Sequence, residues 1–267
     1  MRASALNLIS CPNCHGRLTF EGPSQDPILK GALDCASCSI RYPVENGIAH
    51  FIELSQLNGL NLRFSKTYNW LSWFYRAFSK IAFAYIGMKE EAGRREITDR
   101  LDPHGGRVLE VSIGPGVNLP YLIGRKDVGE IYGLDISIGQ LRRCQSFAKR
   151  KGWEVDLFHA NGEKLPFQDE TFDGVFHVGG INFFSNKKAA IDEMIRVAKP
   201  GTRVLIADET EKGARAYEIS VPGFKKSFQG RRETIVPPID LVPDQMVEKN
   251  MFEAWKGFMY CLEFRKP

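Results

Sequence analysis

The chain has no run of roughly 20 apolar residues, the length a helix needs to span a bilayer. Met1 to Ser10 lacks the long apolar core and cleavage site of a secretory signal, so a cytoplasmic protein is expected. Excess charge of one sign is small. Against 36 Lys and Arg stand 32 Asp and Glu, a net charge of +4 with a pI near 8.7. So mild a surplus does not demand nucleic acid. The six cysteines could pair as disulfides, but four of them form two Cys-x-x-Cys pairs. In a reducing compartment that pattern favours metal. Nucleotide signatures are incomplete. The dinucleotide fingerprint needs a glycine three places after Gly116, where Leu119 stands, and no Gly-Lys-Ser/Thr follows to make a P-loop.

What is present can fold. Apolar residues make up 43% and charged residues 25% of the 267, enough for a soluble core and for one large domain with a small module. The chain is organised around Val108-Leu109-Glu110-Val111-Ser112-Ile113-Gly114-Pro115-Gly116. A short β-rich run ends there on a glycine-bearing turn, and a helix-compatible stretch is expected from Val117. This is the first β-turn-α unit of an open α/β sheet, whose ligands bind beyond the carboxyl ends of the strands.

Upstream, Cys11, Cys14, Cys35 and Cys38 can point four thiolates at one ion from two tight turns, a closed structural site without an open position for chemistry. Arg17 to Glu21 and Ile28 to Asp34 read as hairpin strands, and Tyr42 to Ile48 closes the module. About 50 residues bury little core, so zinc would supply folding energy, roughly 10–16 kcal/mol in finger peptides. His15, beside the first knuckle, reads as a surface residue.

Between module and turn lies an aromatic stretch, Tyr68 to Ile81, with apolar residues at helical spacing. It reads as a helix packed over the sheet edge, or as a lid that makes an acceptor pocket apolar. Lys89 to Leu101 continues as a charged amphipathic helix. Beyond the turn, Glu130 to Asp135 reads as the second strand. Asp135 at its end can accept both hydroxyls of a ribose. Ile138 to Lys151 is a helix with a basic side, Val155 to Ala160 a third strand and Phe172 to Val178 a fourth. Asn186 to Ala198 is a helix leading into a fifth strand, Arg203 to Ala207. Met246 to Ala254 and Gly257 to Arg265 form a closing antiparallel hairpin.

These motifs carry a resemblance. Glu110-x-Ser112-x-Gly114-x-Gly116, Gly133-Leu134-Asp135-Ile136-Ser137, Asn161-Gly162-Glu163-Lys164-Leu165-Pro166-Phe167 and Arg196-Val197-Ala198-Lys199-Pro200-Gly201 resemble, in order, the motifs of class I S-adenosylmethionine-dependent methyltransferases. Loosely, Phe64-x-x-x-Tyr68-Asn69 is similar to a segment of ubiquinone and menaquinone C-methyltransferases. Ser112 replaces the first family glycine, and Asn161 the aspartate that accepts from the adenine amino group. The resemblance implies an α/β fold: a seven-stranded, Rossmann-like class I sheet with a small N-terminal four-cysteine zinc ribbon. It divides the chain into a ribbon-like module (1–53), linker and aromatic lid helices (54–103) and a cofactor-binding domain (104–267). It implies cofactor contacts at Glu110, Ser112, Gly114, Gly116, Asp135, Ile136, Asn161, Gly162 and Val178.

Residues 8 to 53 resemble zinc-ribbon modules that serve as methyltransferase partner subunits, or that are fused to methyltransferases, including ribosomal RNA guanine enzymes. A protein partner for the ribbon is one expectation. The acceptor is the open question. Asn/Asp-Pro-Pro-aromatic, which holds a donor nitrogen in amide and base methyltransferases, is absent at Val178 to Asn182. That favours a small, apolar acceptor attacked at carbon, oxygen or sulfur. Tyr68 is the candidate to pack on it and donate a hydrogen bond, and His177 invites a general-base reading. RNA base methylation guided by the ribbon is the competing enzyme reading. A non-catalytic, cofactor-binding partner protein is the rival from another class.

Overall fold

The N-terminal module and the rest of the chain share one sheet. The computed structural model describes residues 1–52, 83–84, 87–220 and 234–267. The N-terminal module contributes β1 (Leu18–Glu21), β2 (Lys30–Cys35), β3 (Arg41–Glu45) and β4 (Ile48–His50), joined antiparallel in sequence order. The rest contributes β5 (Val108–Val111), β6 (Ile131–Asp135), β7 (Asp156–His159), β8 (Gly174–Val178), β9 (Arg203–Glu209), β10 (Val247–Ala254) and β11 (Met259–Arg265). The sheet order is β1-β2-β3-β4-β7-β6-β5-β8-β9-β11-β10. The expected seven strands are β5 to β11, and the ribbon extends them to an 11-stranded sheet.

The join is parallel. Ala49 lies opposite Phe158 and His50 opposite His159, and Phe51 N donates to His159 O at 2.8 Å. Apolar packing continues across it, with Tyr42, Phe51, Phe158 and Phe167 in one buried cluster. Arg2 fastens the module from the side, with Nε 2.7 Å from Asp156 Oδ2 and Nη1 2.9 Å from Glu130 Oε1. β7 would otherwise be an open edge with unpaired backbone groups, and β4 satisfies them.

Strands β5, β6, β7 and β8 are buried along their whole length, as parallel strands covered on both faces should be. Helix α1 (Glu90–Thr98) and α2 (Ile138–Lys151) pack with one cluster, which holds Ile97, Leu141 and Cys144. Helix α3 (Lys187–Val197) packs with the other through Ile191, Met194 and Val197. Local chemistry sets the ends of α2. Ser137 caps it by accepting from Gln140 N, and Gly152 at φ 66 closes it. Lys149, Arg150 and Lys151 fill its last turn, where cations suit the helix dipole. A further helix, α4 (Glu211–Ser220), follows β9.

One expectation fails. The stretch after the glycine turn is not an α-helix but a run of turns with a single 3-10 turn, Leu119–Tyr121. Pro120 removes an N–H there and Gly124 at φ 84 breaks the path again. The aromatic stretch 68–81, with Tyr68, lies outside the described residues. Among the described residues no helix is long and apolar enough to cross a membrane.

Candidate functional site

The glycine turn leaves β5 at Val111 and bends through left-handed conformations at Ser112 (φ 63), Gly114 (φ 55) and Gly116 (φ 74). Ser112 holds a backbone shape that glycine adopts without strain. The two glycines serve different needs. A β-carbon on Gly116 would sit 2.8 Å from both Cys144 Sγ and Leu119 Cδ1, so packing fixes that residue. A β-carbon on Gly114 would meet nothing within 4 Å, so its backbone borders open space.

Gly114 N donates to Asp135 Oδ2 at 2.9 Å and Ser137 N to Oδ1 at 2.8 Å. Asp135 ends β6, is 8% exposed, and has its pKa pushed up to about 6 by burial, against the pull of these N–H groups. A carboxylate offers about four acceptor positions. The Ile136 N–H bears on it as well, and room is left for a further donor such as a ribose hydroxyl. Ile136 is half-buried beside it, and its carbonyl accepts from His159 Nε2 at 3.1 Å. His159 Nδ1 lies 3.1 Å from His50 Nδ1, so a hydrogen-bond chain runs from the ribbon to this loop. At the end of β7, Asn161 Oδ1 accepts from Glu163 N at 3.0 Å, which occupies part of the amide assigned to adenine. Gly162 is buried. A β-carbon there would lie 2.8 Å from Phe184 and 2.9 Å from Val111, so close packing alone accounts for it. Val178, 9% exposed, ends β8.

Glu110 lies beneath the turn at 1% exposure. Asn118 Nδ2 donates to its Oε1 at 2.6 Å, and Arg94 Nη1 donates to Asn118 Oδ1 at 3.1 Å. Burial pushes the Glu110 carboxyl up to about 8, with Asn118 and Arg94 opposing. Its Oε2 has no hydrogen-bond partner among the described residues. A buried acceptor without a donor suits a ligand ammonium. Helix α1 thus enters the site through Arg94, a residue for which the sequence carried no motif.

His177 is fully buried on β8. Its Nδ1 donates to Val111 O at 3.0 Å, its ring meets Phe184 edge-on at 5.4 Å, and burial lowers its pKa. The imidazole is therefore neutral, with a lone pair on Nε2. Beyond it, sequence reading missed a polar group at the end of β9, made by Asp208, Glu209, Asn182 and Tyr260. Its members come from three distant segments.

In the ribbon, Cys11 and Cys38 Sγ lie 3.6 Å apart, Cys14 and Cys35 Sγ 3.5 Å, and all four sulfurs fall within 4.8 Å of one another. Four sulfurs at 2.3 Å from one tetrahedral ion would be about 3.8 Å apart. The two knuckles match: His15 N donates to Cys11 O and Ser39 N to Cys35 O, with φ 56 and 59 at those residues. His15 is exposed. The Tyr42 hydroxyl lies 3.2 Å from Cys11 Sγ and can orient it. Cys144 and Cys261 are buried elsewhere.

Comparison with known proteins follows this division. A family model described as a methyltransferase domain matches residues 109–206, and one described as Trm112p-like protein matches residues 4–47. Demethylmenaquinone methyltransferase of Anoxybacillus flavithermus is 32% identical over 175 residues, 61% of this chain and 70% of the relative. Phosphatidylethanolamine N-methyltransferase of Cereibacter sphaeroides is 28% identical over 180 residues, 63% of this chain and 86% of the relative. A Pyrococcus horikoshii OT3 protein superposes with TM-score 0.53 at 22% identity, covering 68% of this chain and 93% of that one. A Thermotoga maritima methyltransferase gives TM-score 0.54 at 18% identity, covering 74% and 98%. At such identities the structures speak to the fold alone.

The burial of Glu110 has a measurable cost. A carboxyl whose folded pKa is raised binds more protons in the folded than in the unfolded chain, so its stability contribution is lost as pH rises from about 4.5 towards 8. Ligand-free Glu110→Gln should therefore gain stability over the parent at pH 8, with the difference vanishing below pH 4.5. Urea unfolding of both proteins across that range is the measurement.

Proposed function

The chain belongs to the class I S-adenosylmethionine-dependent methyltransferases, and from that premise we propose that it methylates a small, apolar acceptor at carbon, oxygen or sulfur. The observation that carries the acceptor class is the turn after β8. The Asn/Asp-Pro-Pro-aromatic turn that holds a donor nitrogen is absent from Val178 to Asn182. Here Asn182 Nδ2 donates to Glu209 O at 3.0 Å and its Oδ1 accepts from the Tyr260 hydroxyl at 3.2 Å. The amide is used internally, which supports an acceptor without an amide-type amine. The relatives' names point to lipids: one acts on demethylmenaquinone and another on phosphatidylethanolamine. The second is an amine, so it belongs in the acceptor panel.

S-adenosylmethionine supplies an electrophilic methyl group when bound. The chain's own residues bind and align. In this reading Asp135 accepts from the ribose hydroxyls, Ile136 and Asn161 border the adenine, and Gly114 lets the backbone approach. Glu110 Oε2 receives the ammonium of the methionine moiety, and that pairing relieves the unpartnered oxygen. The outcome is alignment and exclusion of water, which lower the barrier to a displacement without an obligatory triad. Tyr68, outside the described residues, remains the proposed acceptor contact. The RNA reading rests on the ribbon and the basic side of α2, three of whose cations complete that helix's last turn.

We assign the four-cysteine cluster to one structural zinc ion. Metal analysis of protein purified without added zinc should return one zinc per chain, and Cys11→Ser should lose it together with the fold of residues 1–52. For the cofactor, charge-assisted hydrogen bonds are worth about 1.5–3 kcal/mol each. Asp135→Ala should weaken S-adenosylmethionine by roughly 10- to 100-fold in titration calorimetry. The parent's affinity should fall as pH drops below about 6, because protonation of Asp135 removes an acceptor. The variant should lack that decline. For the acceptor, labelled S-adenosylmethionine should transfer its methyl to a hydroquinone lipid. Transfer only to phosphatidylethanolamine or only to RNA would overturn the assignment.

A further inference from the structure

Helix α1 brings one buried cation up to the cofactor turn. Arg94 is 4% exposed, and its guanidinium carbon lies 5.5 Å from the ring centre of Phe83 and 5.3 Å from that of Trp255. Trp255 follows β10, and its Nε1 donates to Gly93 O at 2.7 Å, so the closing hairpin and α1 are tied together beside the cation. A β-carbon on Gly93 would lie 2.5 Å from Phe83 Cε1, so only glycine lets that ring come this close. Glu90 Oε1, one turn back, lies 3.6 Å from Arg94 Nη2. Burying a guanidinium is costly, and an apolar side chain of similar volume would pack against the two rings at least as well. Packing alone does not explain the charge.

The charge is used at Asn118, which is 2% exposed. Arg94 Nη1 donates to Asn118 Oδ1 at 3.1 Å, and Asn118 Nδ2 donates to Glu110 Oε1 at 2.6 Å. A guanidinium only donates, so the amide must turn its oxygen to Arg94 and its NH₂ to Glu110. Oε1 is thereby committed as an acceptor. Oε2, buried and without a partner among the described residues, is the oxygen left for a ligand. Cation, amide and carboxylate form a chain whose links polarise one another in the same sense, which favours the ionised carboxylate. Burial opposes that ionisation, and Asn118 and Arg94 are the two groups that support it.

We propose that Arg94 is a positioning residue that sets specificity for the cofactor's ammonium: through Asn118 it fixes which oxygen of Glu110 meets the ligand and favours the ionised carboxylate there. This rests on the reading above, in which Glu110 receives that ammonium. Arg94 itself touches no ligand. Without its cation the amide is able to turn its oxygen towards Glu110. Two acceptors then face one another unless Glu110 takes a proton, and a neutral Glu110 pairs poorly with an ammonium.

Three ligands separate this from a merely structural role. S-adenosylmethionine carries the ammonium and a carboxylate, its decarboxylated form keeps only the ammonium, and 5′-methylthioadenosine lacks both. Affinities are measured by titration calorimetry for the parent, Arg94→Met and Asn118→Leu, so that one variant serves if the other fails to fold. Each variant should weaken both ammonium-bearing ligands by about tenfold or more, the scale of one charge-assisted hydrogen bond. Each should bind 5′-methylthioadenosine within about twofold of the parent. In a Glu110→Gln background, Arg94→Met should have no further effect. An equal loss for 5′-methylthioadenosine would reduce Arg94 to packing and overturn the proposal. So would a loss for S-adenosylmethionine that disappears with the decarboxylated ligand, since Arg94 would then meet the carboxylate directly. If Glu110→Gln alone binds S-adenosylmethionine like the parent, the ammonium reading of Glu110 falls and the proposal with it. If Glu110→Gln weakens binding while Arg94→Met and Asn118→Leu do not, that reading stands and the proposal alone is overturned.

Discussion

Carboxylates taken out of water at the ends of parallel strands are the constraint on which the rest of the site depends. Glu110, Asp135 and Asp208 end or nearly end β5, β6 and β9, and are 1%, 8% and 0% exposed. Burying a carboxylate is costly unless hydrogen-bond donors surround it. Those donors come from the turns that follow the strands: Gly114 N and Ser137 N for Asp135, Asn182 N and Glu209 N for Asp208. The left-handed backbone at Ser112 and Gly114 is thus part of the electrostatics, since it aims an N–H at Asp135. Glu110 relies on a side chain, Asn118, and its Oε2 has no hydrogen-bond partner among the described residues.

What was legible in the sequence was local. The strand-turn signal at 108–116, the acid that closes β6, the helices expected over 138–151 and 186–198 and the closing hairpin all depend on residues close together in sequence. Their boundaries agree with the sequence reading to within a few residues. The stretch after Gly116 was misread because glycine and helix-compatible residues outweighed Pro120. What was illegible needed distance. Nothing in Ile48-Ala49-His50 states that it pairs with β7, because a strand's composition gives its burial and not its partner. The polar group at Asp208 draws on β8's turn, β9 and β11, and no spacing records that. The ribbon's cysteines were readable because four thiolates in two short pairs leave few geometric options.

The two halves differ in what holds them together. The ribbon's buried residues share a cluster with the larger part, and its four cysteines converge on one another. The larger part has strands buried on both faces. At the seam these regimes merge, since Phe51 and Tyr42 from the ribbon pack in one cluster with Phe158 and Phe167. The hydrogen-bond chain from His50 through His159 to the Ile136 carbonyl makes the seam continuous with the loop carrying Asp135.

The seam also sets an order of events during synthesis. His50 and His159 are 109 positions apart. At about 5–20 residues per second, β4 leaves the ribosome roughly 5–20 s before its mate. Through that interval its outer backbone groups are open to the wrong strands, and β5 and β6 both emerge before β7 with apolar residues that would suit a sheet. β4 is only three residues long. An edge so short cannot hold a mismatched strand by itself, and pairing persists only where side-chain packing and the Arg2 anchor on Asp156 arrive together. Brevity, which makes β4 easy to overlook, is what allows it to wait.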